Sequence, residues 1–186
     1  MKIGIIADTH GNVAGWDAAM EVALEGSDLI VHCGDVLYHG PKFEPTDSYD
    51  PMALAGRIND SEVPVLIARG NGDSDVDQLV LEVPVQSPYC FAQVEGLRIL
   101  AAHGHIQTPE ELLPLAEQWG IDLLLTGHVH TPVEARYADV LHVNPGTVTY
   151  PLSPDEPLQR RTCAVWEDGE LAHFDVESGQ QLDLPG

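Results

Sequence analysis

The stretch KIGIIADTHGNVAGWDAAMEVALEGSDLIVHCGD, residues 2–35, contains two short apolar runs on either side of a helical repeat. The runs KIGIIAD (2–8) and DLIVHCGD (28–35) are almost continuously apolar, which is typical of buried parallel strands. Between them apolar residues recur at helical spacing, and Asn12 and Gly26 can cap the two ends of the helix. This order predicts a βαβ unit.

The chain continues with a second helix, predicted over residues 51–60, and a third apolar strand, VPVLIARG, at residues 63–70. From about residue 84 the pattern changes, because short strands now flank two-residue turns. Three turns predict hairpins: Glu95-Gly96, Ala138-Asp139 and Asp168-Gly169. A parallel first half followed by hairpins predicts an α/β protein in which two sheets pack face to face with helices outside.

The composition is strongly acidic, with 30 Asp and Glu against 8 Lys and Arg and a formal charge of −22. A hydrophobic content of 44% argues against disorder, and 186 residues fit a single domain over 1–186. The charge favours a halophilic, salt-rich cytosol, where repulsion is screened within about 3 Å at 1 M salt, over a special electrostatic role. It disfavours long nucleic acid as a partner.

The cysteines and the first residues bear on the compartment. Cys33, Cys90 and Cys163 are odd in number and far apart, which favours neither a disulfide frame nor a thiolate zinc site. MKIGIIAD runs directly into a strand pattern without the apolar region of a signal peptide, and no apolar run reaches 18 residues. We therefore expect a soluble, cytoplasmic protein that does not enter a membrane.

Polar side chains occur directly after the predicted apolar strands. The carboxyl ends of adjacent parallel strands form a crevice that can hold a ligand. Two carboxylates, one amide and four imidazoles follow five different apolar runs, and all are suitable ligands for borderline divalent metals. These seven residues are Asp8, His10, Asp35, Asn71, His103, His128 and His130.

Seven ligands are too many for one ion, so the pattern predicts two divalent metal ions roughly 3.5 to 4 Å apart. One carboxylate must then bridge the ions, and Asp35, which follows Gly34, is the natural choice. Such a pair would hold and deprotonate a water. Each short motif alone means little, and the prediction depends on all five groups together.

The stretch NGDSDVDQLVLE, residues 71–82, could also be a calcium loop, because acids stand at several of the ligand positions. Val76, however, occupies the sixth position, where an EF-hand loop requires glycine, and no helix precedes it. The better interpretation is one edge of the metal site, with Asp75 and Asp77 as solvated acids that open a short helical turn.

The remaining histidines have more ordinary interpretations. His32 lies inside an apolar strand, and His142 and His173 alternate with apolar residues, so structural roles are predicted for these three. His39 lies in a loop that could reach the crevice, which leaves a substrate contact and a structural role both open.

Five motifs together resemble those of the calcineurin-like metallophosphoesterases: D-x-H at 8–10, GD at 34–35, GN at 70–71, HGH at 103–105 and GHVH at 127–130. Three longer stretches are similar to the YfcE-like phosphodiesterase family of this superfamily: GDVLYHGP (34–41), RGNGDSDVDQ (69–78) and HVNPGTVTYP (142–151). The resemblance implies a four-layer αββα sandwich of two mixed sheets.

The resemblance also implies a binuclear centre at the strand ends, often with Mn²⁺, although Ni²⁺, Zn²⁺ or Fe²⁺ would suit the same ligands. One ion would take Asp8, His10, Asp35 and His130, and the other Asp35, Asn71, His103 and His128. Near the substrate phosphate would lie His105, Asn12 and His39. The catalytic residues would be His105, Asn12 and Asp35.

The turn after the third strand departs from the superfamily pattern. Many members have GNHD or GNHE there, and the histidine protonates the leaving oxygen while the acid orients it. Gly72 stands in the place of that histidine, where YfcE-like members usually have cysteine. Asp73 is therefore left without a side chain to orient and is predicted to cap the turn. Loss of a general acid costs on the order of 100- to 10,000-fold, which favours esters with stable leaving groups.

These features predict a metal-dependent phosphodiesterase in which a metal-bridging hydroxide attacks a small-molecule phosphodiester. A non-catalytic scaffold, as in the retromer subunit that resembles this family, is one alternative, although all seven ligands are intact. A nuclease or cyclic-nucleotide phosphodiesterase is another. Two questions stay open at this point: whether the subunits form a homo-oligomer, and whether His105 replaces the missing acid.

Overall fold

The computed structural model describes residues 1–184, so the predicted domain boundary at residue 186 lies outside the described part of the chain. The strands are β1 (Lys2–Ile6), β2 (Leu29–His32), β3 (Val65–Ala68), β4 (Val85–Gln86), β5 (Cys90–Val94), β6 (Leu97–Ala101), β7 (Leu123–Leu125), β8 (Pro132–Tyr137), β9 (Val140–Pro145), β10 (Thr162–Glu167), β11 (Glu170–Asp175) and β12 (Gln181–Leu182). The α-helices are α1 (Val13–Ala19), α2 (Pro51–Asn59) and α3 (Pro109–Gln118).

The first sheet contains seven strands in the order β12-β11-β10-β1-β2-β3-β4. The strands β1 to β3 pair in parallel, as the first half of the sequence predicts, and the short strand β4, which was not predicted, pairs in parallel with β3. β10 pairs antiparallel with β1. Asn12 caps α1 by accepting the Gly15 N–H at 3.0 Å, and a π-helical segment, Met20–Leu24, extends the helix. The predicted βαβ unit is therefore present, with its long helix divided in two.

The second sheet contains five strands in the order β5-β6-β7-β9-β8. Its hairpins β5–β6 and β8–β9 are antiparallel, while β7 pairs in parallel with β6 and β9. The third predicted hairpin, β10–β11, belongs to the first sheet and turns through Asp168 and Gly169, whose φ angles are 49° and 99°. Two positive φ angles are what a type I′ turn requires. Both sheets are therefore mixed, as the resemblance implied.

Three buried apolar clusters show that the elements form four layers. In β1, Ile3 and Ile5 lie in the cluster between the sheets, together with Leu123 and Leu125 of β7. Ile6 belongs to the cluster beneath α1 and α2. A third cluster lies between the second sheet and α3. Alternate side chains of a strand point to opposite faces, so each sheet buries both faces and the layer order is αββα.

None of the helices within residues 1–184 combines the length and apolar character that a membrane span needs.

Candidate metal centre

The loops that follow β1 and β2 run side by side at the carboxyl ends of these strands. The Asp8 N–H donates to the Gly34 carbonyl and the His10 N–H to the Asp35 carbonyl, both at 3.0 Å. Asp8, His10 and Asp35 have φ angles of 54°, 46° and 58°, in the left-handed region that favours glycine. Such conformations cost on the order of 1–3 kcal/mol each and cluster at functional sites.

The loop that follows β7 has the same character. His128 and His130 have φ angles of 72° and 55°, and the His128 N–H donates to Asp8 Oδ2 at 3.0 Å. His103, which follows β6, is buried beside them. The structure thus brings together predicted ligands from both sheets, and five of them adopt strained backbone conformations.

Two buried groups of potential ligand atoms form at this point, Asp8 with His10 and His130, and Asp8 with Asp35 and His103. Asp8 Oδ1 lies 3.2 Å from His130 Nε2 and 3.9 Å from His103 Nε2. Asp35 Oδ2 lies 3.8 Å from His10 Nε2, and Asp35 Oδ1 lies 3.4 Å from His103 Nε2. Each carboxylate is therefore close to histidines of both groups.

Backbone carbonyls orient three of the histidines. The Nδ1 atoms of His10, His103 and His130 lie 2.6, 2.7 and 2.7 Å from the carbonyl oxygens of Tyr38, Cys33 and Tyr150. A carbonyl oxygen only accepts, so each Nδ1 carries the hydrogen, and the neutral form of each ring presents the Nε2 lone pair to the centre. Metal-binding histidines are usually oriented in this way.

Two buried atoms at the centre, Asp8 Oδ1 and His103 Nε2, have no hydrogen-bond partner among the described residues. A buried polar atom without a partner is costly, and a divalent cation would satisfy both atoms. Carboxylate oxygens with imidazole nitrogens are also the donor set that Mn²⁺, Fe²⁺, Ni²⁺ and Zn²⁺ accept. The residues at this site therefore fit a divalent metal centre.

The ionisation of the centre follows from the close approach of acids and imidazoles. Although burial disfavours a charged carboxylate, His103 and the Gly72 N–H hold the pKa of Asp35 well below its usual range. Burial likewise opposes a charged imidazole, but the carboxylates of Asp35 and Asp8 raise the pKa of His103 to about 9. The site thus favours positive charge between its carboxylates.

Asp73 organises the backbone around this centre. Its Oδ2 accepts the N–H groups of Gly70 at 2.7 Å and Asp35 at 2.9 Å, and its Oδ1 accepts that of Val36 at 2.7 Å. The Gly72 N–H in turn donates to Asp35 Oδ1 at 2.7 Å. Asp73 therefore caps its turn, as predicted, and also ties that turn to the loop that carries Asp35.

The glycines of the GD and GN motifs allow these loops to approach one another. A Cβ atom at Gly34 would lie 2.7 Å from the Gly70 nitrogen and 2.8 Å from His103 Nδ1. A Cβ atom at Gly70 would lie 2.1 Å from Asp35 Oδ1. Any side chain at either position would therefore displace a candidate ligand.

The centre opens into a cleft of about 300 Å³. One side, the ligand wall, consists of His10, Asp35, Asn71, Gly72, His128 and His130. His128 lies beside the buried groups, with its ring centroid 5.1 Å from that of His103. Asn71 is exposed in the cleft. Five of the seven predicted ligands thus line this cleft, and Asp8 and His103 are buried beside them. Their contacts with metal ions stay a prediction.

The three predicted substrate contacts differ in position. His105 is exposed, and its ring centroid lies 5.3 Å from that of His103, so it is close to the centre. Burial and the neighbouring His103 lower the pKa of His105. It can therefore meet a substrate as a neutral imidazole.

Asn12 and His39 are engaged within the fold. Asn12 is 1% exposed, and its amide accepts from Gly15 and Ser48 and donates to Val148 and Thr149. Its amide is thus engaged within the fold, and the predicted position of Asn12 near the substrate phosphate stays a prediction. His39 bonds to the Phe43 carbonyl at 3.1 Å and packs between Tyr38 and Tyr49. These contacts favour structural roles for both residues.

Three histidines predicted to be structural are buried and hydrogen-bonded. His32 contacts Thr9 Oγ1 at 2.9 Å, His142 contacts Thr126 Oγ1 at 2.9 Å, and His173 contacts the Asn144 carbonyl at 2.9 Å. Burial lowers the pKa of His32 to about 3 and those of His142 and His173 to about 4. These three predictions are confirmed.

Sequence reasoning missed the other side of the cleft. This outer wall consists of Tyr38, Lys42, Phe43 and Leu152, with the backbone of residues 40–41. The Phe43 ring stacks on Tyr150 at a centroid distance of 4.3 Å and on His130 at 5.7 Å. The sequence held one signal of this wall, because Lys42, one of only two lysines in the chain, directly follows the stretch GDVLYHGP and precedes Phe43.

Comparison with known proteins agrees with this geometry. The model of the calcineurin-like phosphoesterase superfamily domain matches residues 1–167. Phosphodiesterase YfcE of Escherichia coli K12 is 36% identical over 152 residues, which cover 81% of each chain. The solved structure of the YfcE phosphoesterase from E. coli superposes with a TM-score of 0.83 at 28% identity and covers 98% of this chain and 97% of that one. The chain belongs to the calcineurin-like phosphoesterase superfamily, and its resemblance to YfcE is confirmed.

The same fold occurs in proteins with more distant sequences. Vacuolar protein sorting 29 of Cryptosporidium parvum has a TM-score of 0.68 at 19% identity, covering 97% of this chain and 94% of that one. Identity at this level shows the fold alone.

Proposed function

We propose that this protein is a binuclear metal-dependent phosphodiesterase that acts on small-molecule phosphodiesters. The observation that carries the proposal is the pair of buried ligand groups beside a cleft that His10, Asp35 and His130 line. Two buried atoms of these groups, Asp8 Oδ1 and His103 Nε2, have no hydrogen-bond partner within residues 1–184. The 36% identity to a phosphodiesterase supports the same reaction class.

The candidate ligands divide between two ions as the resemblance implies, with Asp35 between them. Asp8 and Asp35 each accept one backbone N–H, from His128 and Gly72. The choice of Asp35 as the bridge rests on the resemblance and on its two oxygens, which face different histidines, His10 and His103. Bound there, two divalent cations would lower the pKa of a water for attack on phosphorus and neutralise charge on the phosphoryl oxygens. Mn²⁺ is the cation we expect from the family resemblance.

The chain's own residues fix the position of the reacting groups. The carbonyls behind His10, His103 and His130 hold the three rings, and Asp73 holds the backbone of Asp35. Preorganised groups of this kind lower a barrier because they need not rearrange during reaction. No side chain at position 72 can donate a proton. The leaving group must therefore depart as a stable anion or receive a proton from the charged form of His105, which the lowered pKa of His105 disfavours.

The first test is an assay of metal-stripped protein to which Mn²⁺ is restored. We expect hydrolysis of an activated bis-aryl phosphate, with monoester turnover well below diester turnover, and loss of both on metal removal. Turnover of the aryl monoester far above that of the diester would contradict the diesterase assignment. Equal activity with and without chelator would contradict metal dependence.

The role of Gly72 has its own test, Gly72→His with Gly72→Ala as the matched control. A Cβ atom here would lie 3.2 Å from Asp35 Oδ1, so a side chain requires only a small shift. We expect Gly72→His, but not Gly72→Ala, to raise hydrolysis of alkyl esters by on the order of 100-fold, because it restores an acid to the turn. Equal effects of the two replacements would show that position 72 acts through shape alone.

The scaffold alternative predicts that metal ligands have been lost, yet the ligands are all present in this chain. The likeness to vacuolar protein sorting 29 does not alter the proposal, because at 19% identity it shows only the fold.

We also propose that the protein works in a salt-rich cytoplasm, because a formal charge of −22 strains the folded state at low ionic strength. Raising KCl from 0.1 to 2 M should raise the melting temperature, with most of the gain below about 1 M, where the Debye length has already fallen to about 3 Å. A melting temperature that does not change with salt would contradict this proposal.

A further inference from the structure

We infer that the outer wall selects phosphodiesters in which one substituent is planar or apolar and carries a second negative charge, which Lys42 binds. This inference rests on the proposed function, because it assigns the substrate class of the same cleft. Its basis is the position of Lys42 at the cleft and the apolar side chains that line the cleft with it.

Basic residues in this chain are scarce, and half of them are paired with acids. Among the 8 basic residues, four arginines form ion pairs, Arg57 with Asp17, Arg69 with Asp75, Arg160 with Asp175 and Arg161 with Glu177. Lys42 has no carboxylate within 4.0 Å among residues 1–184, and its side chain lines the cleft. An unpaired lysine beside a metal centre, in a chain with 30 acidic residues, is suited to bind an anion.

The groups beside Lys42 are apolar and accessible. Tyr38 is 43% exposed and Leu152 is 51% exposed, and both line the cleft with the Phe43 ring. Aromatic and aliphatic side chains in a cleft typically bind the flat or apolar part of a ligand, while a few polar groups fix its orientation. The outer wall thus offers an apolar surface next to one positive charge.

The outer wall is held in place before substrate arrives. The carbonyl of Tyr38 accepts from His10 Nδ1 at 2.6 Å, and the carbonyl of Glu44 accepts from the Tyr150 hydroxyl at 2.8 Å. The Phe43 ring stacks on Tyr150 at an interplanar angle of 7°. Little entropy of the backbone around Lys42 is therefore lost when a substrate binds, and the ordering cost falls on the exposed Lys42 side chain itself.

The charge on Lys42 is not needed for the reacting phosphoryl group, because the cations that the ligand wall is proposed to hold would neutralise it. A second negative group on the substituent would therefore be the partner of Lys42, which has no carboxylate partner within residues 1–184. A dinucleotide with a terminal 5′-phosphate has this chemistry, since it joins a planar base, a diester and a separate anion.

The test compares two substrates that differ only in that anion, a dinucleotide with and without its 5′-phosphate. We expect wild-type protein loaded with Mn²⁺ to prefer the phosphorylated dinucleotide, and Lys42→Gln to lower the ratio of the two kcat/KM values on the order of tenfold, through KM. The matched control is Arg136→Gln, which removes the same charge from the exposed strand β8 and should leave the ratio unchanged.

Each outcome is decisive. An unchanged ratio in Lys42→Gln, or an equal fall for both substrates, would overturn the inference, because Lys42 would then do nothing or act on the reacting phosphoryl group. The same fall in Arg136→Gln would show a general effect of charge. Absence of hydrolysis of the bis-aryl phosphate by wild-type protein would contradict the proposed function itself, so the two failures are distinguishable.

Discussion

The two sides of the cleft differ in almost every physical respect. The ligand wall is anchored in buried residues with left-handed backbone conformations, such as Asp35 and His130, and backbone groups fix its rings. The outer wall carries exposed side chains such as Tyr38 and Leu152. Strain and burial are tolerable where geometry must be accurate for chemistry, whereas exposed apolar groups suit binding. We therefore expect substitutions to separate rate from substrate selection.

The largest effect should come from Asp35→Asn in the ligand wall. The change removes the proposed bridging charge, so kcat should fall by roughly a thousandfold or more, corresponding to several kcal/mol of lost stabilisation. Mn²⁺ affinity, measured by calorimetry, should fall with it. Asp47→Asn, an exposed acid, is the control and should alter neither. Retained activity in Asp35→Asn would show that Asp35 does not bridge the two ions.

The next effect concerns the stability of the residues behind the ligand wall, which should depend on pH. His173 donates to the Asn144 carbonyl, and the Asn144 amide donates to the Gly127 carbonyl at 2.8 Å, just before His128. Burial lowers the pKa of His173 to about 4 from 6.5, so the unfolded chain binds a proton more readily than the native state. Stability is then lost as the pH falls from about 6.5 to 4, by roughly 3 kcal/mol from this residue.

The change His173→Gln removes this titration. Urea unfolding of His173→Gln between pH 7 and 4.5 should show a shallower loss of unfolding free energy with falling pH than unfolding of the wild-type protein. Parallel curves for wild type and His173→Gln would contradict the assignment.

A smaller effect is expected for Asp73→Asn. Asp73 joins the two loops of the ligand wall through its hydrogen bonds. An amide cannot accept all three N–H bonds that Asp73 accepts, so the free energy of unfolding should fall by about 2 kcal/mol and Mn²⁺ affinity should weaken. The matched control in the same turn is Asp75→Asn, because Asp75 is exposed and paired only with Arg69. Its effect should stay below about 1 kcal/mol. Equal effects of the two changes would show that Asp73 has no special role in holding the metal centre.

The smallest effect belongs to the outer wall. Leu152→Ala removes exposed apolar surface, so KM for an aryl diester should rise by about three- to tenfold while kcat stays within about twofold. Leu79→Ala, at another exposed leucine, should change neither constant. A fall in kcat without a change in KM would show that the two walls do not divide rate and binding as proposed.

The amino-acid sequence by itself determined the class of fold, because its signals are local. Continuous apolar runs, helical repeats and two-residue turns identified the βαβ unit and the three hairpins, and polar residues after the runs identified the candidate ligands. Glycines in the motifs were visible, although the close contacts that require them, such as Gly70 against Asp35, were not. Asp73 was recognised as a cap, but not as the link between two loops.

The tertiary structure alone decided how distant segments meet. The hairpin β10–β11 could have joined either sheet, and the long-range pairing of β1 with β10 settles that it completes the first. Only the tertiary structure shows which groups the Asn12 amide contacts, because its partners at Ser48, Val148 and Thr149 are remote in the chain. Only the tertiary structure places Lys42 at the cleft, because Lys42 is carried there by the loop that lies over His10. Periodicity specifies which face of an element is buried, but packing between elements determines what each polar side chain contacts.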